Sequence, residues 1–223
     1  MNNTDISTSM KLYVILCTLF STIIITGNLI FQKFIIISIF SYSLEISVGV
    51  LLYPLTFLIS DLVTEFYGKV SAKLMVKIAA FCSLVILGLV SLSDLLNATE
   101  WSVVDNDIFH IVFNAYGIGA IASIIANYFG QITDIHAFSY IKFLTKGKHL
   151  WLRNNVSTIL GQIVDSILVI SILCFFDIIS WKQFLIVFLS SLSFKVIAAL
   201  LDTPICYLGY YLIKKSIKGT VTS

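Results

Sequence analysis

The sequence predicts an all-α integral membrane protein: a bundle of six transmembrane helices with both termini cytoplasmic, built as a single transmembrane domain over residues 1–223. Three observations predict it. Of the 223 residues, 58% are apolar and only 12% charged, and the mean hydropathy is +0.99; a soluble domain carries about a quarter of its residues charged. The apolar residues fall in runs of about 20, the length that crosses a bilayer as a helix. The basic residues, finally, alternate from one connecting link to the next.

The runs place spans at about 12–31, 44–64, 74–95, 108–132, 156–176 and 184–213. The first follows a polar start without a basic leader, so it reads as a retained span rather than a cleaved signal. The region from Phe34 to Thr64 is too long for one span. Phe34 to Ser43 reads as an interfacial or re-entrant piece, and Leu44 to Thr64 as the second span. Lys69, Lys73 and Lys77 then form a basic stripe, and the link after span three is acidic, with Asp94, Glu100, Asp105 and Asp107. Span four is rich in small residues (Gly117, Gly119, Ala120, Ala122, Ser123, Ala126), which let helices approach closely; it reads as continuing in helix to Leu144. The links after spans two and four and the C-terminal tail hold ten of the 14 Lys and Arg. Basic links mark the cytoplasmic side, so an even number of spans follows.

Polar residues inside such runs are the functional candidates, because an ionisable group in lipid is costly. Asp61 and Glu65 lie one helical turn apart on one face. Pro54, just before them, lacks a backbone donor and predicts a kink. Asn127, Gln131 and Asp134 form a stripe at i, i+4, i+7, and Thr158, Gln162 and Asp165 repeat that spacing, with Asn155 one turn earlier. Lys195 lies deep in span six and predicts a buried ion pair with Asp202, two turns on, or with Asp165. Four carboxylates against one intramembrane Lys exceed what a purely structural bundle would use. The stripes are expected to converge on a polar chamber for a small solute with N–H donors, which a carboxylate can accept in pairs. Phe57, Phe66, Tyr67, Tyr128 and Phe129 are candidates to stack on a planar ring.

Other chemistries find no footing. The sequence contains no P-loop, HExxH or GxSxG pattern. Cys17, Cys82, Cys174 and Cys206 are dispersed in apolar runs and read as packing residues. His110, His136 and His149 are scattered, so neither a metal nor a cofactor is expected.

Three stretches resemble one family. Pro54-Leu55-Thr56-Phe57 with Asp61, Glu65 and Tyr67-Gly68 is similar to the PLTF-xxx-D-xxx-E-x-YG signature of the queuosine-precursor transporters, also described as vitamin-uptake-transporter-like. The run from Trp151 to Thr158, with Gln162 and Asp165, resembles that family's second signature, and Leu201-Asp202-Thr203-Pro204 a third. The resemblance implies import of a planar 7-deazaguanine (7-cyano-7-deazaguanine, 7-aminomethyl-7-deazaguanine or queuine) across a bacterial inner membrane for tRNA modification. It implies no direct contact with nucleic acid. Asp61, Glu65, Asn155, Gln162 and Asp165 are the implied substrate residues, supported by Gln131 and Asp134, with Arg153 at the cytoplasmic mouth and Lys195 and Asp202 as a supporting pair. Membrane lipid is the surrounding partner, and an energy-coupling ATPase module or a second copy are further candidates. The competing readings are a substrate-binding subunit served by such an ATPase and a membrane-embedded enzyme using Asp61 and Glu65.

Overall fold

The computed structural model describes residues 7–31, 33–39, 42–114 and 116–219. Helix α1, Thr8–Ile30, starts at Ser7, whose side chain accepts from the Met10 N–H. Strands β1 (Phe34–Ile39) and β2 (Tyr42–Ser47) follow, then a 3-10 turn over Val48–Leu52 and helix α2, Tyr53–Asp94. Helix α3 is Asn106–Asn114, α4 Tyr116–Leu144 and α5 Leu150–Phe175. A short 3-10 turn, Trp181–Gln183, leads into α6, Phe184–Gly219. Among the described residues, five helical segments are long and apolar enough to cross a membrane: Thr8–Ile30, Val48–Asp94, Asn106–Leu144, Leu150–Phe175 and Trp181–Ser216.

Two expectations are corrected. The all-α class holds, but the expected interfacial or re-entrant piece and the first residues of the expected second span form an antiparallel hairpin in which Phe34 pairs with Ser47 and Ile39 with Tyr42. The β-branched run Phe34-Ile35-Ile36-Ile37-Ser38-Ile39 favours a strand. Its tip, residues 40–41, and Gln32 of the preceding link lie outside the described residues. The second span therefore begins in helix at Tyr53 rather than Leu44. Pro54, moreover, does not kink α2. It occupies the first turn of that helix, where its missing N–H would have had no helical partner.

The break comes at Gly68 instead, with φ 81 and ψ 168 inside the 42-residue α2. Only glycine adopts such a conformation without strain. The second limb, residues 69–94, returns alongside α1 and α4. One buried cluster joins Ile59 and Val63 with Ala72, Met75, Val76 and Ala79, together with Phe20, Ile24 and Ile135.

Several chain ends gather around this bend. The Tyr67 hydroxyl donates to Ser9 O at 2.9 Å and the Tyr13 hydroxyl to Ser71 O at 3.0 Å, tying the start of α1 to it. Phe66 packs on Tyr210 with ring centroids 5.1 Å apart, and Leu150 joins Ile213 and Tyr210 in one cluster. The start of α1, the bend, the α4–α5 link and the end of α6 thus share one end of the bundle. At the opposite end Asp94 meets His110 Nδ1 at 2.8 Å, holding α3 against the end of α2.

Candidate functional site

The site is organised by the crossing of α4 and α5. Gly130 and Gly161 face each other there, and a Cβ on either would strike the other's carbonyl and the Cβ of Asp165 or Asp134. Around each glycine the sequence matches at four of five positions: Gly130-Gln131-Ile132-Thr133-Asp134 on α4 and Gly161-Gln162-Ile163-Val164-Asp165 on α5. The glycine lets the backbones meet, and the Gln and Asp that follow are carried into the interface. Gln131, Asp134 and Gln162 are fully buried, and Asp165 almost so.

Two polar groups flank this crossing. In the first, Asp61 and Asp134 face each other within hydrogen-bond reach. Ser60 Oγ donates to Asp134 Oδ2 at 3.1 Å, and the hydroxyls of Ser157 and Thr158 turn to the same carboxyl. One turn on, Glu65 is held by two cations: Arg153 Nη2 at 2.8 Å from Oε1 and Lys142 Nζ at 3.0 Å from Oε2. Arg153 is 2% exposed, lies 5.4 Å over the Phe138 ring, and donates through Nη1 to Gly147 O and Lys148 O. The residue expected at the cytoplasmic mouth is thus a buried clamp joining α2, α5 and the α4–α5 link.

In the second group Lys195 Nζ donates to Asp165 Oδ2 at 2.6 Å and to Ser166 Oγ at 3.0 Å, with the Tyr53 ring 5.1 Å away. The expected Lys195–Asp202 pair does not form. Seven residues along one helix separate the two by about 10 Å of rise, so Lys195 reaches across to α5 instead. Tyr53, Ser123 and Asn28 continue the network: the Tyr53 hydroxyl lies 3.2 Å from Ser123 Oγ, which donates to Asn28 Oδ1 at 2.7 Å. Gln131 Nε2 donates to Thr56 Oγ1 at 3.2 Å.

Asn155 stands apart from both groups. Its amide exchanges hydrogen bonds with Thr203 at 3.0 and 3.2 Å and also donates to Trp151 O, which fastens α5 to α6. Of the aromatic candidates only Phe57 touches the crossing, against Gly161. Phe66 and Tyr67 pack on Tyr210 and Tyr13, and Phe129 is half exposed on the outer surface.

The open chamber expected from the sequence is corrected to a packed polar seam. Two spaces border the polar groups, one beside Tyr53, Thr56 and Asn127 and one beside Asn154, Thr158 and Asp202, each of about 10 Å³. That is about the size of one water. The Gly130–Gly161 approach accounts for it, since backbones in contact leave no gap between the stripes they carry. Yet several acceptors in the seam receive no hydrogen bond: both oxygens of Asp61, Oδ1 of Asp134 and of Asp165, and Oε1 of Gln131, while Gln162 has neither amide atom bonded. Buried polar atoms are nearly always satisfied, so this concentration makes the seam the candidate site for a polar ligand.

A family model described as "Putative vitamin uptake transporter" matches residues 47–209. The chain belongs to this family. The matched stretch holds Asp61, Glu65, Asp134 and Asp165, the Arg153 clamp and Lys195, so membership in the vitamin uptake transporter family and the polar seam coincide in sequence. A relative from Bacillus subtilis (strain 168), described as "Probable queuosine precursor transporter", is 26% identical over 167 residues, covering 74% of this chain and 72% of the relative. No solved structure matches the chain. With the long apolar helices, the family makes this a multi-pass membrane protein of a transporter family.

Sequence reasoning missed Tyr53, Ser60, Ser123, Asn28 and the two glycines. The Gly-Gln-Ile-x-Asp pattern repeated at Gly130 and Gly161 was the available signal for the glycines. The others are common residue types that only packing singles out.

Proposed function

We propose that this protein imports a queuosine precursor, a planar 7-deazaguanine, across the bacterial inner membrane. The observation that carries the reading is the row of buried oxygens that receive no hydrogen bond, both on Asp61 and one each on Asp134, Gln131, Gln162 and Asp165, inside a member of a vitamin uptake transporter family. A guanine-like edge offers adjacent N–H groups, which carboxylate and amide oxygens accept. The description of the Bacillus relative as a probable queuosine precursor transporter supports the same substrate class. Glu65 and Asn155 flank this set, Glu65 within the Arg153–Lys142 clamp and Asn155 on α5, bonded to Thr203 of α6.

The proposed topology is six spans in one domain, residues 1–223, with both termini cytoplasmic. Two findings support it. Gly68 divides the Val48–Asp94 segment into two limbs, and the basic links share an end with the starts and ends of the outer helices. Transport then requires α4 and α5 to separate at their glycines, opening the seam to one side at a time.

The test is uptake in cells unable to make the precursor, supplied with each 7-deazapurine separately. Wild type restores tRNA modification with at least one of them. Asp61→Asn and Asp165→Asn abolish uptake while the protein still accumulates in the membrane. Normal uptake by both variants would remove the site. Repeating the assay without the host's energy-coupling ATPase, with uptake unchanged, excludes the reading as a borrowed-ATPase subunit.

A further inference from the structure

The two repeated units of the crossing are neutralised in different ways. Asp165, on α5, receives an ammonium from Lys195 at 2.6 Å. Asp134, at the corresponding place on α4, meets not a cation but a second acid, Asp61, also buried. The neighbouring charges are committed elsewhere. Arg153 and Lys142 clamp Glu65, and Arg153 Nη1 is spent on two backbone carbonyls. The groups facing Asp61 from every packed element are Asp134 from α4, Arg153 from α5, Cys206 from α6 and Glu65 from its own helix. Helix α1 brings apolar Leu16, Phe20 and Ile24 and the thiol of Cys17 to the adjoining clusters.

Two carboxyl groups can form a hydrogen bond only if one of them carries the hydrogen, and two adjacent buried carboxylates repel strongly. Neither oxygen of Asp61 receives a hydrogen bond from any described residue. We infer that Asp61 and Asp134 share one proton, and that this proton crosses the membrane with the solute. The inference rests on the function proposed above and supplies its driving force. The proton arrives from the outer side with the solute and sits as an O–H on one carboxyl donating to the other. It leaves to cytoplasmic water as the solute departs, and no other bond forms or breaks. Lys195 performs the matching neutralisation at Asp165 with a fixed charge, so one of the two repeated acids is switchable and the other is not.

The test uses the full chain reconstituted in liposomes, with 7-cyano-7-deazaguanine, 7-aminomethyl-7-deazaguanine and queuine as probes. Exchange of labelled for unlabelled solute without any gradient reads transport alone. Net uptake under an imposed pH gradient, acid outside, reads coupling. At one proton per neutral solute, each unit of pH difference supports about tenfold accumulation, and solute entry acidifies the lumen. An imposed sodium gradient has no effect. In infrared spectra the protein shows the carbonyl band of a buried carboxylic acid. That band is lost in Asp61→Asn and in Asp134→Asn and kept in Asp165→Asn. Exchange with no response to the pH gradient, uptake driven by sodium, or absence of the infrared band from wild type would overturn the inference while leaving the transport reading intact. Absence of exchange for all three solutes would overturn the transport reading and the coupling together.

Discussion

Gly130 and Gly161 sit so close that neither has room for a side chain. A Cβ on Gly130 would lie 2.9 Å from the Gly161 carbonyl oxygen, and one on Gly161 2.8 Å from that of Gly130. The obstacles are backbone atoms, which cannot swing aside. Small residues at a helix crossing replace the hydrophobic effect, which lipid cannot supply between helices, by close van der Waals contact. Here the same contact also presses the Gln and Asp that follow each glycine into the interface.

Gly161→Ala is therefore expected to push α5 away from α4. Overpacking a tight interface costs about 1–3 kcal/mol, so the thermal midpoint of the purified protein falls. Gly88→Ala is the comparison, because a Cβ there meets nothing within 4 Å. Equal midpoints for the two variants would show that the crossing is not held by glycine contact.

The Glu65 clamp makes a second prediction. Arg153 is 2% exposed, and removing the partner of a buried charge costs about 3–5 kcal/mol. Glu65→Gln should be strongly destabilising, while Glu65→Gln with Arg153→Met recovers much of the loss. A double-mutant cycle by denaturation in detergent measures the coupling; additive losses would mean that the two side chains do not depend on each other.

Gln162 makes the opposite kind of prediction. It is fully buried and neither amide atom is hydrogen-bonded. An unsatisfied buried polar group carries a penalty of about 1–3 kcal/mol, so Gln162→Leu is expected to raise stability while uptake falls. Stability bought at the expense of activity is the mark of a binding residue. Unchanged uptake with raised stability would assign Gln162 no role in recognition.

At Lys195 the pair with Asp165 is tested by Lys195→Met, which leaves a buried carboxylate alone and should cost about 3–5 kcal/mol. Adding Asp165→Asn restores folding, as membrane accumulation and thermal midpoint report, but not uptake. Replacing Asp202 by Asn leaves the midpoint nearly unchanged, since Lys195 is bonded to α5 rather than to Asp202.

Period and spacing carried a large part of this protein. The stripe Asn127, Gln131, Asp134 and its counterpart Thr158, Gln162, Asp165 were legible because a helix in lipid must satisfy its own backbone. Side-chain spacing therefore maps directly onto a face. The continuation of span four to Leu144 was legible for the same reason. The hairpin was not: a run of isoleucines between apolar spans suits a strand and a buried helix equally, and only the pairing of Phe34 with Ser47 decides it. The turn between spans two and three was placed in sequence, at 64–74, but not its residue, since Pro54 advertises a kink while Gly68 makes one. A proline in a first turn is silent, whereas a glycine reveals its conformation only in the folded chain.

The sequence by itself determined that this chain lives in lipid, where most of its long helices run, and which acids ride on the inner faces, because hydropathy and helical period depend on neighbours a few residues away. Tertiary structure alone decided the partners: that Lys195 serves Asp165, that Arg153 and Lys142 serve Glu65, and that Asp61 is left facing Asp134. Those choices depend on how closely separate helices approach. That distance is set by two glycines whose repeated surroundings stand in the sequence but whose meeting only the packed helices decide.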